Sequence, residues 1–253
     1  MLRILAICLA LLPSACGAHD ERSTLDALLE RGELVIGTEP EFPPFESKDS
    51  DGRFIGFDMD LARELARDLG VKLRIEEMAF DSLPSALATG KIDLILSGMT
   101  ANAERAKSLS FTAPYFRTEL CLLVGARSGI RRKEDVKGKR VVVKLGTTGA
   151  KQAPILFPKA RITTLDTESA CALQVVQGTA DAFLYDRHSI VRHQRNHPRT
   201  TRAILTPLKE QPYAMAVKLG DKRFVERLNA FLRDVRADGR YARLYKKHLD
   251  APR

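Results

Sequence analysis

Gly90-Lys-Ile-Asp-Leu-Ile-Leu-Ser-Gly-Met-Thr-Ala-Asn-Ala-Glu-Arg-Ala-Lys-Ser-Leu-Ser-Phe111 is the stretch on which the rest of the chain turns. It reads as a short buried strand, Asp93 to Leu96, that ends in small polar residues and runs into a helical turn carrying Arg105. In an open α/β sheet, ligands collect beyond the carboxyl ends of the strands. Small residues such as Gly98 let the backbone approach a ligand closely. Thr100 offers a hydroxyl there, and Arg105 a planar fork matched to a carboxylate. Taken alone, the stretch is either a carboxylate seat or a loop with a surface salt bridge.

A second copy of the pattern favours the seat. Gly178-Thr-Ala-Asp-Ala-Phe-Leu-Tyr-Asp186 has the form of Gly90 to Gly98: glycine, two residues, aspartate, then an apolar run with a polar tip. Each copy follows a helical pattern, at 82–89 and 167–177. The strands that open the halves also correspond, Leu34-Val-Ile-Gly-Thr38 and Val141-Val-Val-Lys-Leu-Gly-Thr147. The repeat is too degenerate for a solenoid. It suits two α/β lobes of related build with a ligand between their strand ends.

The chain has 253 residues, 44% of them apolar and 29% charged, which is a globular composition. Lys and Arg exceed Asp and Glu by 9. Nucleic-acid binding is not expected, because the basic residues are dispersed. Their densest groups, Arg187 to Arg202 and Arg236 to Lys247, have the spacing of solvated helix faces and few interleaved aromatics.

Met1-Leu-Arg3, the apolar run Ile4 to Leu12 and the small residues after Pro13 read as an export signal over residues 1–18. The run is too short to span a bilayer. Ser14-Ala-Cys-Gly17 is similar to a bacterial lipobox, so Cys16 is a candidate lipid anchor; cleavage after Ala18 without lipid is the alternative. The mature chain is expected in the periplasm. Cys121 and Cys171 lie in apolar surroundings and are expected as buried free thiols. His193 and His197 have helical spacing, but Asn196 and Pro198 end that helix, and a surface position without metal is expected.

Along the chain, Phe42 follows the first strand within a loop stiffened by three prolines, and Phe80 sits just past another strand. Each is either core filler or a ring that stacks on a ligand. Asp58 is expected to cap a helix to Leu69 whose leucines share one face. The loop Lys144-Leu-Gly-Thr-Thr-Gly149 enters a helix, whose free N–H groups favour an anion near Thr147 and Thr148. It lacks the spacing of a phosphate loop. Pro154 is expected to shorten that helix. The chain leaves the first lobe near residues 117–123 and returns through a crossing near 206–212. Lobe 1 is thus expected over 24–118 and 211–253, lobe 2 over 119–210, and the two crossings form a hinge.

In order along the chain stand Phe45-Glu, Gly56-Phe-Asp-Met-Asp-Leu61, Gly90-Lys-Ile-Asp93, Glu104-Arg105, Phe111-Thr-Ala-Pro-Tyr115, Gly138-Lys-Arg-Val141, Gly146-Thr-Thr148 and Asp238-Gly-Arg-Tyr241. Together, over Leu34 to Leu249, they resemble the periplasmic amino-acid-binding proteins of ABC importers, bacterial extracellular solute-binding family 3. That resemblance implies a two-lobed Venus-flytrap of the type II periplasmic-binding-protein fold, closing on a free amino acid and delivering it to a membrane permease. It implies that Arg105 holds the α-carboxylate with Thr100 and the Thr148 backbone, and that Asp186, the Gly98 carbonyl and Thr100 take the α-ammonium. Phe42 and Phe80 would sandwich the side chain, and Glu39 and Lys144 would read its end. An amide satisfies both of those charges, so a glutamine-like ligand is expected. No cofactor is expected, and a monomer is.

Two rivals remain on the same fold. A cyclohexadienyl (prephenate or arogenate) dehydratase would use Glu39 or Lys144 as general acid. A sensor module would be expected to carry a membrane helix and a signalling domain. With the sequence ending at Arg253, a stand-alone receptor is expected instead.

Overall fold

The structure is a computed structural model and describes residues 22–250. The export segment over residues 1–18, with Cys16, lies outside the described residues. Helix α1 (Thr24–Arg31) is capped by Ser23, whose Oγ accepts from the Leu25 amide at 3.2 Å, and Gly32 ends it at φ 71°. Strand β1 (Glu33–Thr38) leads into a small antiparallel ribbon of β2 (Glu41–Phe42), β3 (Glu46–Lys48) and β4 (Phe54–Ile55). Helix α2 (Phe57–Leu69), strand β5 (Lys72–Glu77), a 3-10 turn at Phe80–Ser82, helix α3 (Leu83–Ala88) and strand β6 (Leu94–Ile95) follow. A second 3-10 turn, Arg105–Lys107, precedes strand β7 (Leu109–Phe111).

The chain then crosses into the second lobe along β8 (Phe116–Gly125). There it builds β9 (Arg140–Lys144), α4 (Thr148–Leu156), β10 (Arg161–Leu165), α5 (Glu168–Val176), β11 (Ala182–Asp186) and α6 (Arg187–Asn196). It returns along β12 (Thr201–Tyr213) to β13 (Ala216–Lys218), α7 (Lys222–Ala237) and α8 (Arg240–His248).

The two main sheets have one plan. The first runs β5-β1-β6-β13-β7 and the second β10-β9-β11-β8-β12. In each, the first three strands are parallel and the fourth runs antiparallel to both neighbours. The repeated glycine-aspartate pattern supplies the third strand of both, β6 and β11. The polar strand ends of the two lobes therefore face one cleft, as two related α/β units require.

The sequence periodicities account for the core. Leu61 and Leu65 of α2, fully buried, pack with Leu34 and Ile36 of β1 and with Phe224, Leu228 and Phe231 of α7. Burial of each such side chain contributes roughly 1.5–3 kcal/mol. In the second lobe Leu120, Leu122, Val141, Val143 and Leu184 form an apolar layer with no solvent exposure. Their continuous apolar runs reflect strands covered on both faces.

Several expectations are corrected. The return crossing near 206–212 is part of the 13-residue strand β12, which pairs antiparallel with β8 through a register shift between Ile204 and Lys209. Alternation there is broken by that shift and by Pro207, so no strand was visible. The limits expected at 118 and 211 fall on cross-strand partners, Thr118 and Gln211. Asp58 does not cap α2; Gly56 holds the cap position, and Asp58 lies fully buried in the first turn. Helix α4 continues past Pro154 to Leu156, because Pro154 sits on its exposed face, where water can serve the carbonyl it leaves free. His193 is not a surface residue: only 6% exposed, it bonds Glu168 at 2.7 Å, and Arg192 bonds the same carboxylate oxygen. The α6 face is accordingly paired as well as solvated, with Arg187 on Glu119 at 2.7 Å. Cys121 and Cys171 are both free and buried.

Candidate functional site

The strand ends line a small cavity between the lobes. Of the residues singled out by sequence, Glu39, Phe42, Phe80, Gly98, Thr100 and Arg105 line it from the first lobe. Thr147, Thr148 and Asp186 line it from the second. Lys144 does not line it but reaches Glu39, which does.

Arg105 is aimed by the turn after β6, where its amide donates to Asn102 Oδ1 at 2.9 Å. Its guanidinium donates to the Thr100 carbonyl and, across the cleft, to the Gly146 carbonyl, both at 2.9 Å. It also lies 5.2 Å from the Phe80 ring centre, a cation–π distance. Burial lowers its pKa to about 10, so it remains a cation at neutral pH.

Asp186 ends β11 and accepts from the Tyr213 hydroxyl at 2.6 Å. Burial raises its pKa to about 7, and nearby Glu168 adds to the rise; Tyr213 and Arg105 oppose it. The cleft thus holds a fixed cation from one lobe and a carboxylate poised at neutrality from the other.

Glu39 and Lys144 form an ion pair with side chains 12% and 3% exposed. Burial raises the Glu39 pKa, against the lowering effect of Lys144. The pair is internally neutral, so it presents polarity without net charge.

Other candidates have local employment. The Thr100 hydroxyl donates to Gln211 at 2.7 Å rather than standing free. Thr147 caps α4, accepting from the Ala150 amide at 3.2 Å and donating to the Lys144 carbonyl at 2.7 Å. Thr148 Oγ1 is buried without a hydrogen-bond partner among the described residues. Gly98 has φ 51°, and a Cβ there would come within 2.8 Å of the Phe42 ring. Phe42 is stacked on Phe45 at 5.4 Å between ring centres, whereas Phe80 lies under Arg105 and Lys144.

Sequence reasoning missed Glu46, Ser97 and Tyr185, which also line the cavity. Ser97 and Tyr185 sit at or next to the tips of the repeated strands, a position that signals them in retrospect. Glu46 is not at such a tip; its signal was its place in the Phe45-Glu motif, set against the polar run Ser47-Lys-Asp-Ser-Asp51 that reads as surface.

The paired crossings, the twin sheets and the polar cavity between them define a two-lobed binding protein. Residues 34–251 match the bacterial extracellular solute-binding proteins, family 3, and the chain belongs to that family. Among its relatives is the ABC transporter glutamine-binding protein GlnH of Bacillus subtilis (strain 168), 27% identical over 98% of this chain and 96% of the relative. Another is the cyclohexadienyl dehydratase of Pseudomonas aeruginosa, 32% identical over 83% and 78%. Among solved structures, a mutant of ArgBP from T. maritima is similar, with TM-score 0.83 and 35% identity, covering 90% of this chain and 99% of that one. The resemblance read from the sequence motifs is thereby confirmed at the level of family and fold.

Proposed function

We propose that this chain is an extracytoplasmic receptor that closes on a free polar L-amino acid, of the amide type represented by glutamine, and presents it to the permease of an ABC importer. One observation carries the reading: Arg105 and Asp186, from opposite lobes, both line one cavity. A zwitterion needs a fixed cation and a fixed anion, and only closure brings both to it. The ligand's carboxylate would displace the carbonyls now held by Arg105, and its ammonium would meet Asp186.

The Glu39–Lys144 pair supports the amide. An unpaired Glu39 would suit a guanidinium, as in a receptor for arginine. With Lys144 on it, a cationic side chain gains little, while an amide can donate to Glu39 and accept from Lys144. Phe42, Phe80, Gly98, Thr100, Thr147 and Thr148 complete the proposed ligand shell. Lobes divided at 118 and 211, an export signal over residues 1–18, a periplasmic location with or without a lipid on Cys16, and a monomer belong to the same reading. Isothermal titration with the twenty amino acids tests it: a glutamine-led profile is expected, and an arginine-selective one overturns the amide assignment.

The dehydratase relative supports a second reading, in which Glu39 or Lys144 is a proton donor. Their pairing with each other weakens it, because each is already engaged. Turnover of prephenate or arogenate would establish the enzyme; a melting shift with an amino acid and no turnover supports the receptor.

A further inference from the structure

Two carboxyl groups stand at the cavity, Glu46 in its lining and Asp58 outside it, and the proposed ligand shell uses neither. Glu46 of β3 is 1% exposed and Asp58 of α2 fully buried. Asp58 Oδ2 accepts from the Gly98 amide at 2.9 Å and from the Tyr115 hydroxyl at 2.6 Å. Glu46 Oε1 accepts from Ser97 Oγ at 2.9 Å. That hydroxyl in turn receives the Glu39 amide at 3.1 Å. The remaining oxygens, Glu46 Oε2 and Asp58 Oδ1, are buried and have no donor from elsewhere in the described residues. The two carboxyls are held by consecutive residues, Ser97 and Gly98, so their open oxygens belong to neighbouring buried side chains. Two carboxylates cannot bond one another; a carboxylic acid and a carboxylate can.

We propose that Glu46 and Asp58 share one proton in the folded chain, and that this bridged pair is a positioning device for the floor of the cleft. Glu46 carries the proton, donating from Oε2 to Asp58 Oδ1, since Asp58 already accepts two donors that favour its ionised form. Every oxygen of the pair is then satisfied. Through Ser97 Oγ and the Gly98 amide the pair fixes the strand end that carries the Gly98 carbonyl and the start of the loop bearing Glu39 and Phe42. Other ionisable groups face it: Glu39 and Lys144 from the cavity side, Tyr115 from the connection after β7, and Tyr185 from β11. Burial and the Asp58 charge raise the Glu46 pKa well above the carboxylate range, and burial raises that of Asp58 to about 6.

The sign follows. Glu46 is protonated in the fold and ionised in the unfolded chain at neutral pH, so unfolding releases a proton and stability falls as pH rises. The test needs no ligand. Urea unfolding of the full chain is followed from about pH 5.5 to pH 8.5 for wild type, Glu46→Gln and Asp58→Asn. In Glu46→Gln an amide donates to Asp58 permanently; in Asp58→Asn an amide donates to Glu46, which then has no need of a proton. Both variants are expected to show a flatter dependence on pH than wild type, by up to one proton. Slopes equal to wild type in the variants that fold would overturn the proposal. Infrared spectroscopy of wild type at about pH 8, where Asp186 is mostly ionised, reads the proton directly. A protonated-carboxyl carbonyl band is expected, and its absence overturns the proposal whether or not either variant folds.

Discussion

Arg105 and Gly146 stand on opposite sides of the cleft and are joined by a 2.9 Å hydrogen bond from the guanidinium to the glycine carbonyl. The residue proposed to seize the ligand's carboxylate is therefore already placed, with carbonyl oxygens as stand-ins. A lysine could keep the charge but not the planar fork that now meets two carbonyls and would meet both oxygens of a carboxylate.

Replacement of Arg105 tests this first. Arg105→Ala is expected to weaken L-glutamine by about 30-fold or more, since loss of a buried charge pair costs about 2–5 kcal/mol. Arg105→Lys should recover only part of it. Titration calorimetry is the measurement, and affinity within twofold of wild type in Arg105→Ala would remove the proposed carboxylate seat.

Asp186 should trade stability against binding. Its pKa is raised to about 7, so the stability it lends is present at low pH and is lost as pH rises through 7. Asp186→Asn should therefore raise the ligand-free unfolding midpoint at about pH 8 while abolishing tight binding. In wild type, an ammonium ligand favours the ionised carboxylate, so binding releases a proton. Affinity should fall up to about tenfold per pH unit below 7. A flat affinity profile between about pH 5.5 and 8 would contradict this role.

The Glu39–Lys144 pair is expected to set selectivity. Lys144→Met leaves Glu39 buried with no counter-charge and should destabilise the chain by about 3–5 kcal/mol. The same change should move preference towards arginine or lysine, whose cation replaces the lost ammonium. An unchanged amino-acid profile by calorimetry would show that the pair does not face the ligand.

Gly146 is expected to limit closure sterically. A Cβ there, at φ +73°, would sit 2.7 Å from the Cβ and 3.0 Å from the Cα of Asp81 in the facing lobe. Gly146→Ala should reduce ligand affinity and leave a larger radius of gyration in small-angle scattering at saturating L-glutamine. Adding Asp81→Gly should restore part of the compaction. Full closure of the single variant would rule out this contact as a stop.

How much of this was legible in sequence depended on the range of the forces involved. Helix α1 could be read from Ser23 and Gly32, because caps are local. The twin sheets could be read from the repeated glycine-aspartate strands, because period-two and apolar runs record burial. Asp58 was misread as a cap because aspartate near a helix start usually serves its own backbone. Its partners Gly98 and Tyr115 lie 40 and 57 residues away. Thr100 lines the cavity as its place in the sequence suggests, but the partner of its hydroxyl, Gln211, lies 111 residues on. Only folding brings those groups together, and no local pattern announces them.

The two connections between the lobes are neighbours in a ladder, Phe116 opposite Tyr213 and Thr118 opposite Gln211. Neither can swivel without dragging the other, so opening amounts to twisting a two-stranded ribbon about its long axis. The mouth then gapes along one fixed arc, and a protease cut in either strand would still leave the halves tied in register by the intact one.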